Sequence, residues 1–335
     1  MGRAVLVIGA HGVLGTALVR ALEERGWQVH RGGRRPDDGS SGRLVDLDRP
    51  ETVAEAIADV DLVIDPVPHP DMAAERIVLR DGGVLIDVSA RPAAAGRRLR
   101  EETREARGVV VLNAGRTPGI SNLAVADLLA AHPEADAVEI VFSFSASGAS
   151  GAAGGEFVHL HLTSARRHRT AVIPFPAPLG PRRCLEYAES ENGWLGELAR
   201  GRTVTTYARF APRALNGALL ALSKLPLMST LPRRAFVPSG KTAGEATTEP
   251  LTEWIAVRRH GTYLGAYTIE GAGGYPVTAV AAAVLADALM AKASDRPGCF
   301  EPQELVTLEE LQADLRAGGV NVIRQAVTDV RATAS

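Results

Sequence analysis

The sequence predicts an α/β protein. A doubly wound parallel sheet comes first, and a second, α+β domain with a largely antiparallel sheet follows. Three observations carry this reading. Short apolar runs rich in β-branched residues alternate with helical periodicity six times within roughly the first 115 residues. A glycine pattern, G-x-x-G-x-x-G, joins the first run to the first helix. After residue 120 the rhythm changes to longer runs that partly alternate polar and apolar residues.

Residues 4–9, AVLVIG, are continuous and apolar, as a strand buried on both faces must be. The following stretch places Leu14, Ala17, Leu18, Ala21 and Leu22 at helical spacing, and Gly26 closes it as a C′ glycine. WQVHR (27–31) reads as the second strand and RLVD (43–46) as the third. PETVAEAIAD (50–59) is a helix with proline in its first turn. VDLVIDPV (60–67), GVLIDVS (83–89) and VVVLNAG (109–115) are further strands, with helices over 71–82 and 92–108 between them. Right-handed crossovers then place ligands at the C-terminal strand ends.

Beyond residue 120 a helix is expected over 121–132 and a long strand over 136–147. A glycine-rich loop follows at 148–155 and an alternating strand at 156–164. Further strands are expected at 203–209, 253–259 and 262–269. The Ala-rich helix 275–293 is too apolar to stand exposed, so it should pack back on the first domain. The domains expected are 1–120 plus about 275–330 for the dinucleotide, and 121–274 for substrate binding and dimerisation.

Composition bounds the function. The 335 residues are 46% hydrophobic and 23% charged with net charge −2, which gives no case for nucleic acid as a partner. No apolar run reaches the roughly 20 residues of a membrane-spanning helix. The N-terminal apolar run is short and broken by glycines, so a signal peptide is not expected, and the cytoplasm is the expected compartment. Two distant cysteines, Cys184 and Cys299, argue against a disulfide framework and against a structural zinc site. Only three of the 37 basic residues are lysine, so arginine clusters arise easily in this chain.

The loop Gly9-Ala10-His11-Gly12-Val13-Leu14-Gly15 has the context that a phosphate cradle requires. Gly9 permits the turn out of the strand, and Gly12 lets backbone N–H groups approach a pyrophosphate. Gly15 lets the helix lie close to the strand. A tight turn with no ligand is the bland alternative. His11 replaces the small residue usual in such loops and either contacts phosphate or ribose or points outward.

An Asp or Glu at the end of the second strand would bind the 2′-hydroxyl of NAD. Here the end reads His30-Arg31-Gly32-Gly33-Arg34-Arg35, with no carboxylate before Asp37. Arginine supplies fork-shaped donors for a 2′-phosphate, which a carboxylate would repel. The expected cofactor is therefore NADP(H), held by Gly33, Arg34 and Arg35. Arg31 is the arginine that composition explains most easily. Asp46, at the end of the third strand, is placed to reach the adenine amine.

Standard short-chain dehydrogenases need Tyr-x-x-x-Lys. Four residues after Tyr187, Tyr207, Tyr263, Tyr267 and Tyr275 stand Glu191, Ala211, Tyr267, Gly271 and Ala279, so that mechanism is excluded. At Pro118-Gly119-Ile120-Ser121-Asn122-Leu123 the chain resembles the saccharopine dehydrogenase-like reductases. Its GGRRP loop and its closing helix with the PGCFEPQE ending resemble theirs too. The resemblance covers about the first 120 and last 60 residues.

It implies a Rossmann domain, a discontinuous second domain with a mixed sheet, a nicotinamide cofactor and a homodimer. It also implies reduction of imines, or of related C=C and C=O bonds, in a small-molecule substrate. Pro66, Val67, Ser89, Pro118 and Gly119 would border the cofactor. The loops Asp65-Pro66-Val67-Pro68-His69 and Asp87-Val88-Ser89-Ala90-Arg91 depart from the family's usual endings, so the substrate is not inherited.

Other residues complete the candidate set. Arg116, Asn122 and His69 are substrate-contact candidates, with Ser121 or Asn122 as a plain helix N-cap in the bland alternative. Tyr187 and His159 are proton-donor candidates. His159 and His161 would share one strand face, but no third ligand is nearby, and no metal is expected. The segment 236–246 imitates a phosphate loop without its first glycine, leaving Lys241 only as a pocket-lining candidate. The apolar stretch 214–232 reads as a dimer face, a pocket wall or a core helix. An NADPH-dependent reductase of a C=N bond is the expected function. The alternatives are an enoyl or keto reductase for a lipophilic substrate, and a non-catalytic NADP(H) sensor.

Overall fold

The structure, a computed structural model, describes residues 3–35, 39, 41–102, 105–145, 159, 169–186, 195–211, 213–222, 251–292, 296–327 and 333–334. The chain forms two compact units. The first comprises Met1–Leu123, Trp194–Gly196 and Tyr275–Gly318; the second comprises Ala124–Gly193, Glu197–Gly274 and Gly319–Ser335.

The first unit is built on a seven-stranded parallel sheet. Its strands are β1 (Ala4–Ile8), β2 (Gln28–Gly33), β3 (Gly42–Leu44), β4 (Leu62–Asp65), β5 (Val84–Asp87), β6 (Val109–Val111) and β13 (Gly298–Phe300). Their order is β13-β6-β5-β4-β1-β2-β3, the reversal at β1 that a doubly wound sheet requires. The β-branched runs are buried because both faces are covered: Val5, Leu6, Val7, Leu62, Ile64, Leu85 and Ile86 lie inside.

Leu6, Ile8, Val63 and Leu85 pack with Val53, Ile77, Val78 and Leu99. Those partners come from helices α2 (Pro50–Ile57), α3 (Ala73–Asp81) and α4 (Ala93–Glu102). Helix α1 (Val13–Glu24) lies with the helix Tyr275–Met290. The latter buries nearly its whole circumference, from Val277 through Ala281–Ala286 to Leu289, as its Ala-rich composition demands.

β13 extends the parallel sheet beyond β6, in register from Gly298↔Val109 to Phe300↔Val111. The sequence reading assigned no strand there. The three residues Gly298–Phe300, between Arg296-Pro297 and Glu301-Pro302, carry too little periodicity to announce a strand, and the edge of β6 organises them.

The second unit holds an eight-stranded sheet. β7 (Ala137–Ser145), β10 (Thr203–Ala211), β11 (Leu251–Arg259) and β12 (Thr262–Gly271) form its centre. β8 (Thr170–Ile173), β9 (Arg182–Glu186), β14 (Asn321–Gln325) and β15 (Thr333–Ala334) complete it, in the order β14-β12-β11-β7-β10-β9-β8-β15. Among the described residues only the β7–β10 pair is parallel, so the sheet is largely antiparallel. The helix Ile120–Ala131 supplies Leu128 and Asp127, which meet Gly265 and the Tyr267 hydroxyl of β12.

The expected strand over 156–164 lies mostly outside the described residues, and its one described member, His159, is helical. The glycine-rich loop 148–155 also lies outside them. Of the apolar stretch 214–232, Arg213–Leu222 forms a helix, and the rest is outside the described residues. Among the described residues no helix is long and apolar enough to cross a membrane.

The Tyr275–Met290 helix is tied to the N-terminal strands through Asp287. Its carboxylate accepts from Trp27 Nε1 at 3.0 Å and Arg25 Nε at 2.5 Å, and pairs with Arg3 Nη1 at 2.8 Å. Losing a partly buried carboxylate with such donors costs about 2 kcal/mol. Asp287→Ala should therefore lower the urea midpoint of the first unit, and Asp287→Asn should do so by less. An unchanged midpoint in both would show that water replaces these bonds at no cost.

Candidate functional site

The glycine loop is shaped by backbone contact. Gly9 has φ 63°, and its carbonyl accepts the Gly12 N–H at 2.9 Å. A Cβ placed on Gly15 would lie 2.1 Å from the Gly9 oxygen, so only glycine allows helix α1 to leave the strand this closely. Gly12 is the N-cap of α1. No side chain caps it, no acidic residue lies in the first turn, and Val13 is exposed. The helix therefore offers its N-terminal N–H groups and positive dipole end outward, the arrangement that receives phosphate. The donor set and the glycine cradle fit a dinucleotide pyrophosphate.

At the neighbouring strand end the three arginines separate. Arg31 Nη2 pairs with Glu23 at 3.2 Å. Arg34 and Arg35 are exposed, and neither has a carboxylate partner among the described residues. Asp37 lies outside the described residues. The His11 ring lies against Gly33, where an added Cβ would come 3.2 Å from the ring carbon Cδ2. Asp46 follows β3, half-buried, and its Oδ1 accepts the Asp48 N–H at 3.3 Å. Glycine loop, Gly33–Arg35 and Asp46 thus stand at the C-terminal ends of three adjacent strands.

The ends of β4 and β5 hold a cluster that sequence reasoning missed. Asp65 and Asp87 are register partners, both fully buried. Glu75 of α3 is buried beside them, and Arg91 joins them from the loop after β5. Arg91 Nε donates to Asp87 Oδ2 at 2.6 Å, Nη2 to Glu75 Oε1 at 2.9 Å and Nη1 to the His69 carbonyl at 2.7 Å. Asp65 Oδ1 accepts the Val67 N–H at 2.8 Å, and Asp87 Oδ1 accepts the Ser89 N–H at 2.7 Å.

Burial, then the nearby Asp87 charge, pushes the Asp65 carboxyl up to about 7. The same causes hold Glu75 well above the usual carboxylate range. Two strands ending alike, LVID and VLID, were the signal in the sequence: an acid closing each of two buried apolar runs, with a lone arginine four residues on.

Pro66, Val67 and Ser89 belong to these loops. Val67 leans on the glycine loop, since a Cβ on Gly9 would lie 2.7 Å from its Cγ2. His69 is half-buried, and its Nε2 lies 3.3 Å from Asp48 Oδ1. After β6, Asn113 takes a left-handed φ of 58°. Its side chain accepts the Arg91 N–H at 2.7 Å and donates to the Arg91 carbonyl and to Glu301. Burial pushes the Glu301 carboxyl up to about 8.

Pro118 and Gly119 are buried. A Cβ on Gly119 would lie 2.0 Å from the Gly115 oxygen, so this turn too is restricted to glycine. Arg116 and Asn122 are buried as well. The helix begins at Ile120, which corrects the N-cap alternative: Ser121 and Asn122 sit inside its first turn, where the Ser121 hydroxyl donates to Asn122 Oδ1 at 3.2 Å.

Tyr187, His161 and Lys241, with the segment 236–246, lie outside the described residues, and His159 is half-buried. Within the second unit, buried Glu139 accepts the Tyr263 hydroxyl at 2.7 Å and pairs with Arg258 at 3.3 Å. Burial pushes the Cys184 and Cys299 thiols up to about 12, which leaves them un-ionised near neutral pH.

Strand order and parallel pairing define a doubly wound fold of the Rossmann type. The model of the NAD dependent epimerase/dehydratase family matches residues 5–78, the part that carries the glycine loop. Saccharopine dehydrogenase (L-Glu forming) from Saccharomyces cerevisiae superposes with a TM-score of 0.63 at 13% identity. The match covers 97% of this chain and 100% of that one, so the two share a fold. A meso-DAPDH variant with DAP from Clostridium tetani aligns over 94% of this chain and 98% of its own, at 12% identity and a TM-score of 0.49. No curated protein matches the chain in sequence. In fold, the chain is saccharopine dehydrogenase-like.

Gly15→Ala tests the cradle. The displaced helix should weaken NADPH binding about tenfold or more in a fluorescence titration, with the helical circular dichroism retained. Unchanged affinity would show that no phosphate rests on this turn.

Proposed function

We propose that the protein is an NADP(H)-dependent reductase of the saccharopine dehydrogenase-like family that acts on a C=N bond of a small metabolite. The observation that carries the reading is the glycine-only contact of Gly15 with Gly9 under an uncapped helix N-terminus, with Arg34 and Arg35 exposed one strand away. A nicotinamide bound there supplies hydride to an electrophilic carbon.

The chain's own residues do the rest. Backbone N–H groups at Val13–Gly15 donate to the pyrophosphate, and Gly33, Arg34 and Arg35 take the adenosine phosphate while Asp46 takes the adenine amine. Pro66, Val67, Ser89, Pro118 and Gly119 border the nicotinamide half. Arg116, Asn122 and His69 are the proposed substrate contacts, with Tyr187 or His159 as proton donor. An iminium carbon accepts hydride without a proton at that carbon, which suits a chain lacking a Tyr-x-x-x-Lys pair. A homodimer in the cytoplasm is the proposed working state.

The experiment is NADPH oxidation with cyclic imines, amine-plus-carbonyl pairs, ketones and enones. Turnover is expected with imines. Turnover with enones or ketones alone would replace this reading by the lipophilic enoyl or keto reductase, and tight NADPH binding without any turnover would replace it by the sensor. Arg34→Ala should raise the KM for NADPH about tenfold and leave that for NADH nearly unchanged. Equal changes would refute the 2′-phosphate role.

A further inference from the structure

The carboxyl set at the ends of β4 and β5 is out of charge balance. Asp65, Glu75 and Asp87 are each fully buried, and Arg91 is the cation among them. With all three ionised the interior would carry two uncompensated negative charges, at a cost of several kcal/mol per ion. Asp65 Oδ2 and Glu75 Oε2 are both buried with no hydrogen-bond partner. Fully ionised carboxylates would not leave those oxygens bare, so the set keeps protons.

What the set holds is the loop that follows β4. Asp65 takes the Val67 N–H at 2.8 Å, while Arg91 Nη2 reaches the Val67 carbonyl at 3.5 Å and Nη1 the His69 carbonyl at 2.7 Å. Val67 is thus gripped at both ends of its backbone, and its side chain rests on Gly9 of the phosphate loop. Around Asp65 stand Asp87 of β5, Arg91 and Glu75 of α3. Farther out are His69 with Asp48, and Glu301 with Asn113.

We propose that Arg91 and Asp65 are positioning residues for the dinucleotide, which fix Val67 against the glycine loop while the buried carboxyl set retains a proton. This role rests on the reading of the glycine loop as a dinucleotide site. Loss of that proton sets Asp65 against Asp87 and loosens the grip on Val67, so cofactor affinity falls as pH rises.

The stability linkage has the same sign. Asp65 titrates near 7 in the folded chain against an ordinary 3.8. The folded state therefore keeps a proton that the unfolded chain has lost. Its contribution falls as pH rises from about 4 to 7 and is fully lost above the folded value.

The test is NADPH affinity, measured by fluorescence titration from pH 6 to 9 for wild type, Asp65→Asn, Arg91→Lys and Arg91→Met. Asparagine carries the uncharged state at every pH and keeps the acceptor for Val67. Wild type should lose affinity by about fivefold or more relative to Asp65→Asn across this range. The 2′-phosphate titrates in both proteins, and the comparison cancels it. Arg91→Met should weaken binding at every pH, and Arg91→Lys, which keeps charge but not the fork, should fall between. The melting temperature of Asp65→Asn relative to wild type should rise by several degrees from pH 5 to 8.

Parallel pH profiles for wild type and Asp65→Asn, with binding intact, would overturn the positioning role and leave the dinucleotide site standing. A wild type that binds neither NADPH nor NADH at any pH would overturn the site reading and this role with it.

Discussion

One guanidinium organises the ligand-facing end of the parallel sheet. Arg91 donates to a strand-end aspartate, to a helix glutamate and to the backbone of the preceding loop, while its own peptide is held by Asn113 of the next strand end. Strands β4, β5 and β6, helix α3 and the segment at Glu301 all converge on it. The sheet alone would fix where these strands end but not how their loops leave. A fork-shaped, permanently charged donor in a buried setting fixes the loops, because Nε, Nη1 and Nη2 each donate to a different element. The cost is a group of buried carboxyls that must share protons, and a buried set of that kind is expected where loops carry function.

The second unit solves a similar problem differently. Glu139 is buried on β7, yet Arg258 of neighbouring β11 and the Tyr263 hydroxyl of β12, one strand farther on, meet it. Trp254 and Phe175 pack edge-on nearby, and Tyr263 stands perpendicular to Trp254. This cross-strand network helps to specify register. Shifting β11 or β12 by one residue would turn Arg258 or Tyr263 away from the carboxylate and leave it unpaired.

Much of this architecture was legible in the sequence because both faces of the parallel sheet are covered. Continuous apolar runs such as AVLVI and VLID read as strands, and the glycines between the first strand and helix read as a cradle. Elements that depend on a neighbour did not announce themselves. Gly298–Phe300 is three residues long and exists as the outer partner of β6. Thr170–Ile173 and Arg182–Glu186 are short strands that pair with each other, and Asn321–Gln325 takes its pairing from β12, far earlier in the chain. The Arg91 cluster was missed for a related reason. Its acids are separated by 22 positions in the chain, and only the register pairing of Asp65 with Asp87 brings them together.

The arginines after β2 show how position sharpens composition. In a chain this rich in arginine the cluster carried little weight, and one of the three, Arg31, is indeed engaged by Glu23. Arg34 and Arg35 are exposed at the strand end beside the glycine loop. Hydrogen exchange with and without NADPH tests the central claim most directly, because it reads the strand ends themselves. NADPH should slow exchange together at residues 9–16, 33–35 and 66–69, and NADH should protect 33–35 less. Protection absent from 9–16, or confined to the second unit, would contradict the dinucleotide site at its foundation.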